Sequence, residues 1–405
     1  MPCDVIPEGA NDIFMGYVKR LDAHEFDPLR GKKPLLSRID IELTQRCNNN
    51  CIHCCINLPE RDSGALSREM ETGFIKGILT EAAALGCLAV RFTGGEPLLH
   101  KDFPELYLFA RRLGMQVILF TNARLITTEL AELMAKVLPG RNVEVSVYGM
   151  NPGSYDGVAG RQGAFYEFRR GVDLLLRYRI PFIVKGPKLQ VLKGEREAFE
   201  VWAESIPAMD KKPLFSMNFD LRYRRDDSAK NLRIAKLRAT PEETVAMLAS
   251  DPQHQKEMGR FCTMFMGPPG DRIFNCGAGQ SPCVDAYGHA HPCLPLRDVR
   301  TAVDLHKTTL GKALKELFPA KIGMRATNPD YLRRCACCFL KGLCEQCPAK
   351  SWAEHGTLDT PVEYFCSVAH AMARYLGLLG NHEHGWEVVN WKERMAQDNQ
   401  GSNQF

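Results

Sequence analysis

An α/β fold with parallel strands, followed by a loop-rich and cysteine-rich module, is what this sequence predicts, and three observations carry the prediction. Strand-type and helix-type apolar runs alternate from about residue 35 to 235; the alternation then fades as glycine, proline and cysteine rise; and most of the sixteen cysteines fall in tight groups.

The elements follow in order. "SRIDIELTQRC" alternates Ile39, Ile41 and Leu43 with polar partners and stops at a polar run, so it reads as a strand whose end passes into the loop "TQRCNNNCIHCC". "METGFIKGILTEAAALG" has helical periodicity, "CLAVRFTGGEP" is a strand closing on glycines, "FPELYLFARRLG" is a glycine-capped helix, and "MQVILFTNA" is a further strand. "TELAELMAKVL", "NVEVSVYG", "FYEFRRGVDLLLRYR" and "PFIVKGPKLQVL" continue the pattern, and helices are expected again near 307–318 and 362–379. Alternation of this kind means parallel strands joined by crossover helices, with functional groups at the carboxyl ends of the strands. The loops "TQRCNNNC", "GGEP", "TNA" and "SVYG" all fall there.

Composition narrows the function classes. A formal charge of +4 from 52 basic and 48 acidic residues, well mixed, gives no support to nucleic-acid or membrane binding, and "RYRRDD" and "FRRGVDLLLRYR" read as solvated faces. The start "MPCDVIPEGANDIF" lacks a signal peptide's regions, and no stretch approaches a membrane span, so a cytoplasmic protein is expected. In a reducing compartment clustered cysteines point to metal binding or catalysis.

Cys47, Cys51 and Cys54 are spaced C-x3-C-x2-C, with Cys55 directly after. Three thiolates do not complete a tetrahedral zinc site unless His53 or a distant ligand joins them, whereas a three-cysteine iron-sulfur cube leaves one iron open. Further along come C-x6-C-x9-C at Cys276, Cys283 and Cys293, C-x2-C-x5-C-x2-C at Cys335, Cys338, Cys344 and Cys347, and then Cys366. Eight thiolates make two four-ligand sites, which spacing alone would allow to be zinc. Cys3, Cys55, Cys87, Cys262 and Cys337 stand outside the scheme, Cys337 as a spare thiol, buried or slightly exposed.

The cysteine loop, the "GGEP" loop and the βα alternation together resemble the radical S-adenosylmethionine superfamily, over roughly residues 35–235. The resemblance implies a partial (β/α)6 TIM-like barrel. It implies that Cys47, Cys51 and Cys54 hold a [4Fe-4S] cluster whose fourth iron takes S-adenosylmethionine, and that a flavodoxin or ferredoxin-type reductant supplies the electron. In that setting Gly94 and Gly95 let the backbone approach the ligand, Glu96 accepts from its ammonium group, and Pro97 completes the motif. Asn122 and Ser146 occupy strand ends where family members contact S-adenosylmethionine, with a local turn or cap bond as the alternative. Lys185 is a further strand-end candidate.

"CGAGQSPCVDAYGHAHPC", with Gly288 five residues before Cys293, followed by "CACCFLKGLCEQCPAKSW" and a distal "YFC", is similar to the SPASM extension of such enzymes. That likeness implies two auxiliary [4Fe-4S] clusters and three clusters in all. Cys276, Cys283, Cys293 and Cys347 would hold the first, and Cys335, Cys338, Cys344 and Cys366 the second. The final C-x2-C departs from the three-residue spacing common in the family and bears on Cys347. Domains are expected at 1–34 (extension), 35–235 (barrel), 236–380 (auxiliary-cluster domain) and 381–405 (polar tail).

The stretch from "SVYG" to "GVDLLL" resembles peptide-modifying members, so a peptide that is crosslinked or oxidised is the expected substrate. Because the 35 or so residues before the first strand are too few for a leader-binding domain, the peptide is expected either to come with a separate leader-binding protein or to meet the barrel mouth directly. Leu294 follows Cys293 where sulfatase maturases have an aspartate. Tetrapyrrole or other cofactor synthesis is the alternative, and an iron-sulfur electron carrier the non-enzymatic one. The carrier reading is disfavoured by the GGEP loop beside a three-cysteine site. Arg222, Arg224, Asp226 and Asp227 are acid-base candidates, with a solvated salt-bridged loop as the other reading.

Overall fold

Strand β1, Arg38–Thr44, sets the pattern of the barrel. Ile39, Ile41 and Leu43 are buried on one face, and the intervening Asp40, Glu42 and Thr44 are buried on the other. The computed structural model describes residues 36–395 except 188, 210–213, 217–220, 225, 251–265 and 345–346. β2 (Ala89–Gly94), β3 (Gln116–Thr121), β4 (Val143–Ser146), β5 (Phe182–Pro187) and β6 (Leu214–Ser216) follow, each parallel to its predecessor. Between them run α1 (Thr72–Ala84), α2 (Phe103–Arg112), α3 (Thr128–Lys136), α4 (Pro152–Ala159), α5 (Ala164–Arg177) and α6 (Arg196–Glu204). Six parallel strands with crossover helices make the partial TIM-like barrel.

One face of each strand feeds a continuous apolar layer: Ile41, Phe92, Leu119, Val145 and Val184 meet Ile78, Leu106, Met134 and Phe168 of the helices. The other face, turned inward, carries the charged side chains of β1, β2, β4 and β5 together with Ile118, Phe120 and Ile183.

The cysteine-rich module is continuous with this sheet. β7 (Cys283–Val284) pairs in parallel with β1, then antiparallel with β8 (His289–His291), which pairs with β9 (Val303–Asp304). The sheet order is β9-β8-β7-β1-β2-β3-β4-β5-β6. α7 (Ser228–Leu237) crosses the expected boundary at 235, and α8 (Pro241–Ala249) packs on α9 (Glu363–Tyr375). The expected helix near 307–318 runs from Leu310 to Ile322 with an internal π turn.

Residues 381–395 do not behave as a polar tail. Val388 and Met395 are buried in an apolar group with Phe339, Leu340 and Met372, and Trp391 stacks on Phe339 with ring centroids 6.2 Å apart. Val388, Trp391 and Met395 are spaced to reach that patch, while Val389 and most of the polar residues are exposed. No helix among the described residues is long and apolar enough to cross a membrane.

Candidate active site

The loop carrying Cys47, Cys51 and Cys54 leaves β1 at the carboxyl end and is held from three directions. Arg46 bonds Glu69 with Nε (2.7 Å) and Nη2 (3.0 Å) and the Glu60 carbonyl with Nη1 (2.9 Å). Asn50 N donates to Ala159 O (2.8 Å) and Ile52 N to Val158 O (3.0 Å), tying the loop to the end of α4. Arg124 reaches the Asn48 carbonyl (2.5 Å) and Asn49 Oδ1, and its guanidinium also pairs with Glu167. Nothing in the sequence marked Arg124, a single arginine just past "FTNA".

Cys47 and Cys51 are buried and Cys54 half-buried. Burial pushes the Cys51 thiol up to about 12, with the neighbouring Cys54 charge adding to it, and burial raises Cys47 as well. Such thiols keep their protons unless a cation gathers them, which is what ligation does. Asn48 Nδ2 and Asn49 Nδ2 are buried without hydrogen-bond partners, which fits a group that belongs in this pocket. Among the described residues no set of three or more His, Cys, Asp or Glu side chains is gathered around a single-ion position.

The "GGEP" loop is pressed against the root of the cysteine loop. Gly95 N donates to Thr44 O (2.8 Å) and Glu96 N to Arg46 O (2.9 Å). Gly94 has φ +125°, and a Cβ there would stand 2.0 Å from Thr44 O; one on Gly95 would stand 2.3 Å from Arg46 O. The close approach that these glycines allow is therefore to the β1 terminus itself.

Glu96 is fully buried and its carboxylate is turned to the protein. Oε1 accepts from Thr121 Oγ1 (2.8 Å) and Leu98 N (3.2 Å), and Oε2 from Asn122 N (2.8 Å). Burial pushes its carboxyl up to about 7 against these bonds. The side chain expected to meet an ammonium group instead joins the ends of β2 and β3. Pro97 is buried in the turn that follows. Asn122 lies against the cysteine loop, with Nδ2 2.7 Å from Asn48 Oδ1 and 3.9 Å from Cys47 Sγ. Ser146 sits half-buried at the end of β4, opposite Lys185 of β5.

The inner face of the barrel is charged. Asp40 pairs with Arg91, Glu42 with Arg297, and Glu144 with Lys185, while Arg91 and Lys185 both lie over the Phe120 ring, 4.6 and 3.9 Å from its centroid. Burial, then the Arg91 charge, lowers the Lys185 ammonium to about 8. The candidates beyond the barrel are otherwise engaged. Arg224 forks onto Asp226 (2.6 and 2.8 Å) and donates to Asn57 O (2.8 Å), and Asp227 caps α7 by accepting from Lys230 N (2.8 Å). These three residues fasten α7 near the cysteine loop. Arg222 adds positive charge near Cys55 and Cys293.

In the module Cys335, Cys338, Cys344 and Cys366 line one cavity of about 50 Å³, with Arg334, Lys341, Lys350, His370 and Trp386 around it. Arg334 Nη2 is 3.6 Å from Cys366 Sγ. Cys347 borders the same cavity and also neighbours Cys276 and Cys293. Cys283 departs from the expected first set, since it is completely buried with both Arg297 Nη atoms 4.0 Å from its Sγ. Cys337 is exposed, Cys87 is buried with its Sγ 3.2 Å from Ala89 O, and Cys3 and Cys262 lie outside the described residues.

Residues 41–190 match the model of the Radical SAM superfamily. Among curated proteins the chain is similar to an Fe-coproporphyrin III synthase of Methanosarcina barkeri, 33% identical over 155 residues, covering 38% of this chain and 37% of that protein. It is also similar to a PqqA peptide cyclase of Xanthomonas campestris pv. campestris, 36% identical over 136 residues, covering 32% and 33%. The match spans about a third to two fifths of these relatives. Among solved structures, native anSMEcpe with bound AdoMet and Cp18Cys peptide aligns at TM-score 0.53 and 14% identity over 90% of this chain and 99% of that one. Streptococcus suis SuiB bound to S-adenosylmethionine aligns at 0.50 and 16% over 74% and 68%. At these identities the structural likeness is one of fold. The thiols of Cys47, Cys51 and Cys54 after β1, and the GGEP turn beside them, fall within the stretch, residues 41–190, that matches the Radical SAM superfamily model.

Proposed function

We propose that this protein is a radical S-adenosylmethionine oxidoreductase that modifies a peptide, with two auxiliary clusters in its module, working in the reducing cytoplasm with a flavodoxin or ferredoxin-type reductant. The observation that carries the enzyme reading is the trio Cys47, Cys51 and Cys54, two of them buried and one half-buried, set against the Gly94–Glu96 turn. When bound, the cluster and S-adenosylmethionine supply a 5'-deoxyadenosyl radical that takes hydrogen from a substrate carbon.

The chain's own residues do the positioning. Arg46 and Arg124 fix the loop, Glu96 locks β2 to β3 beneath it, and Asn122 and Ser146 present polar groups at the strand ends toward S-adenosylmethionine. Asp40–Arg91, Glu42–Arg297 and Glu144–Lys185 line a chamber suited to a polar substrate and poorly suited to a hydrocarbon one. The peptide reading is supported by the "SVYG" to "GVDLLL" stretch and by the similarity to PqqA peptide cyclases. A leader-binding protein as a separate chain belongs to the same proposal.

Tetrapyrrole modification is the second reading, favoured by similarity to the Fe-coproporphyrin III synthase and to an AdoMet-dependent heme synthase of the same organism, 32% identical over 141 residues. The test is reductive cleavage of S-adenosylmethionine by the anaerobically reconstituted protein, compared with its Cys47, Cys51 and Cys54 to Ala triple variant. Formation of 5'-deoxyadenosine no faster than in the variant would remove the enzyme reading. Deuterium passing from a labelled precursor peptide into 5'-deoxyadenosine supports peptide modification; transfer from a labelled porphyrin and none from peptide puts the second reading in its place.

A further inference from the structure

Among the described residues, four buried cations hold or face the cysteine loop, and three of them are matched by a carboxylate: Arg46 pairs with Glu69, Arg124 with Glu167 and Arg224 with Asp226. The fourth, Lys230 of α7, has no carboxylate partner among the described residues. We propose that Lys230 is a fixed counter-cation for the group held by Cys47, Cys51 and Cys54, and that its charge raises the reduction potential of that group. The inference rests on the reading that these thiols carry an iron-sulfur cube.

The place of Lys230 is set from both ends of the residue. Its backbone N–H donates to the Asp227 carboxylate (2.8 Å), which fixes the first turn of α7, and its Nζ donates to Asn57 Oδ1 (2.6 Å). Asn57 is in turn fastened to the loop, donating from Nδ2 to Asn49 O (3.1 Å) and accepting at its carbonyl from Arg224 Nη1 (2.8 Å). Lys230 is 5% exposed, so the rest of its ammonium has little water to turn to. The negative charges that act on it are that of Cys54, then Cys51, with Asp227 behind them.

A buried ammonium resting on one neutral amide is costly unless an anion lies near it. Three thiolates outweigh the charge of an oxidised cube, so the loaded loop is anionic, and an added electron makes it more so. Lys230 therefore favours the loaded chain over the empty one and the reduced group over the oxidised one. The three arginines contribute less, because the field of each is largely cancelled by its own carboxylate.

The test compares K230M, K230Q and K230R in the full, anaerobically reconstituted chain. A redox titration followed by EPR, with the signal of the Cys47, Cys51 and Cys54 to Ala triple variant subtracted, reads this one group. At a fixed mediator potential the ratio of reduced to oxidised group should fall about tenfold in K230M and K230Q, as for one unit charge acting over roughly 10 Å of protein, and stay near the parent's in K230R. Gln keeps a donor for Asn57 and loses only the charge, so it decides where K230M fails to retain iron. Loss of iron in both neutral variants with retention in K230R supports the same assignment. A parent-like ratio in K230Q overturns it and leaves the hydrogen bond to Asn57 as the whole role of the residue. So does a parent-like ratio joined to weaker S-adenosylmethionine binding, which would give the ammonium to that ligand's carboxylate. A triple variant that loses no iron would instead remove the reading beneath, a result separable by iron analysis alone.

Discussion

At Glu96 a single carboxylate holds two strand ends together, and its two oxygens are not interchangeable with an amide. Oε1 serves Thr121 and Leu98, and Oε2 serves Asn122 N, all three of them donors. Glu96→Gln puts an NH2 group against one or two of these, whichever way the amide turns, and leaves a buried N–H or O–H without an acceptor. The expected cost is about 1–3 kcal/mol of stability, measured by denaturant unfolding of the reconstituted protein, with faster loss of iron from the Cys47 site. Stability equal to the parent would mean that the carboxylate is dispensable and that the strand ends are held by packing. The residue itself was legible in "GGEP", but its partners were not. Hydrogen bonds from Thr121 and Asn122 connect positions 25 and 26 residues away, and a strand-end Asn or Thr carries no sign of which loop it will meet. Arg124 was missed for the same reason.

Elements of the barrel were legible because each offers several turns or pleats of alternation, as in Ile39, Ile41 and Leu43 of β1. β6 has three residues and β7 two, too few for any period to appear, and so the sharing of one sheet by barrel and module went unread. That join has an energetic consequence at Glu42 and Arg297. Glu42 is wholly enclosed, and Arg297 comes from the loop after β8 to pair with it across the seam between β1 and β7. Burial, and after it the Asp285 charge, raises the Glu42 carboxyl, and the Arg297 charge is the largest influence opposing that rise. Arg297→Ala strands a buried carboxylate and should cost about 3–5 kcal/mol, whereas E42Q combined with R297M should recover part of the loss. Guanidinium chloride melts of the single and double variants decide it, since equal destabilisation in both would show the pair to be ordinary packing rather than a charge pair.

Across the whole molecule the two halves are stabilised by different means. The barrel has one apolar layer, which Val284, Ala290, Val303, Leu310 and Phe318 of the module join, while the rest of the module is divided among smaller apolar groups around its thiols. Those thiols are pushed up by burial, Cys293 and Cys335 each to about 12, so without ligation the module buries protonated thiols beside cations such as Arg334 and gains nothing from either. Specific direct ties to the barrel side remain in the apo protein: the β7–β1 ladder, the Arg297–Glu42 pair, the Tyr287 hydroxyl to Gln45 Oε1 (3.1 Å), and Leu310 N and Gly311 N to Glu81 (2.9 and 2.8 Å). A few bonds of this kind orient a module but do not replace a core. Stripping the metal with an anaerobic chelator is therefore expected to open the module first. Limited proteolysis of the stripped protein should cut between about 266 and 380 while a fragment spanning the barrel strands persists, and far-UV circular dichroism should keep most of its helical signal. If the stripped module resists protease as well as the reconstituted one, its fold is self-sufficient, and the thiols are passengers on it rather than its fastening.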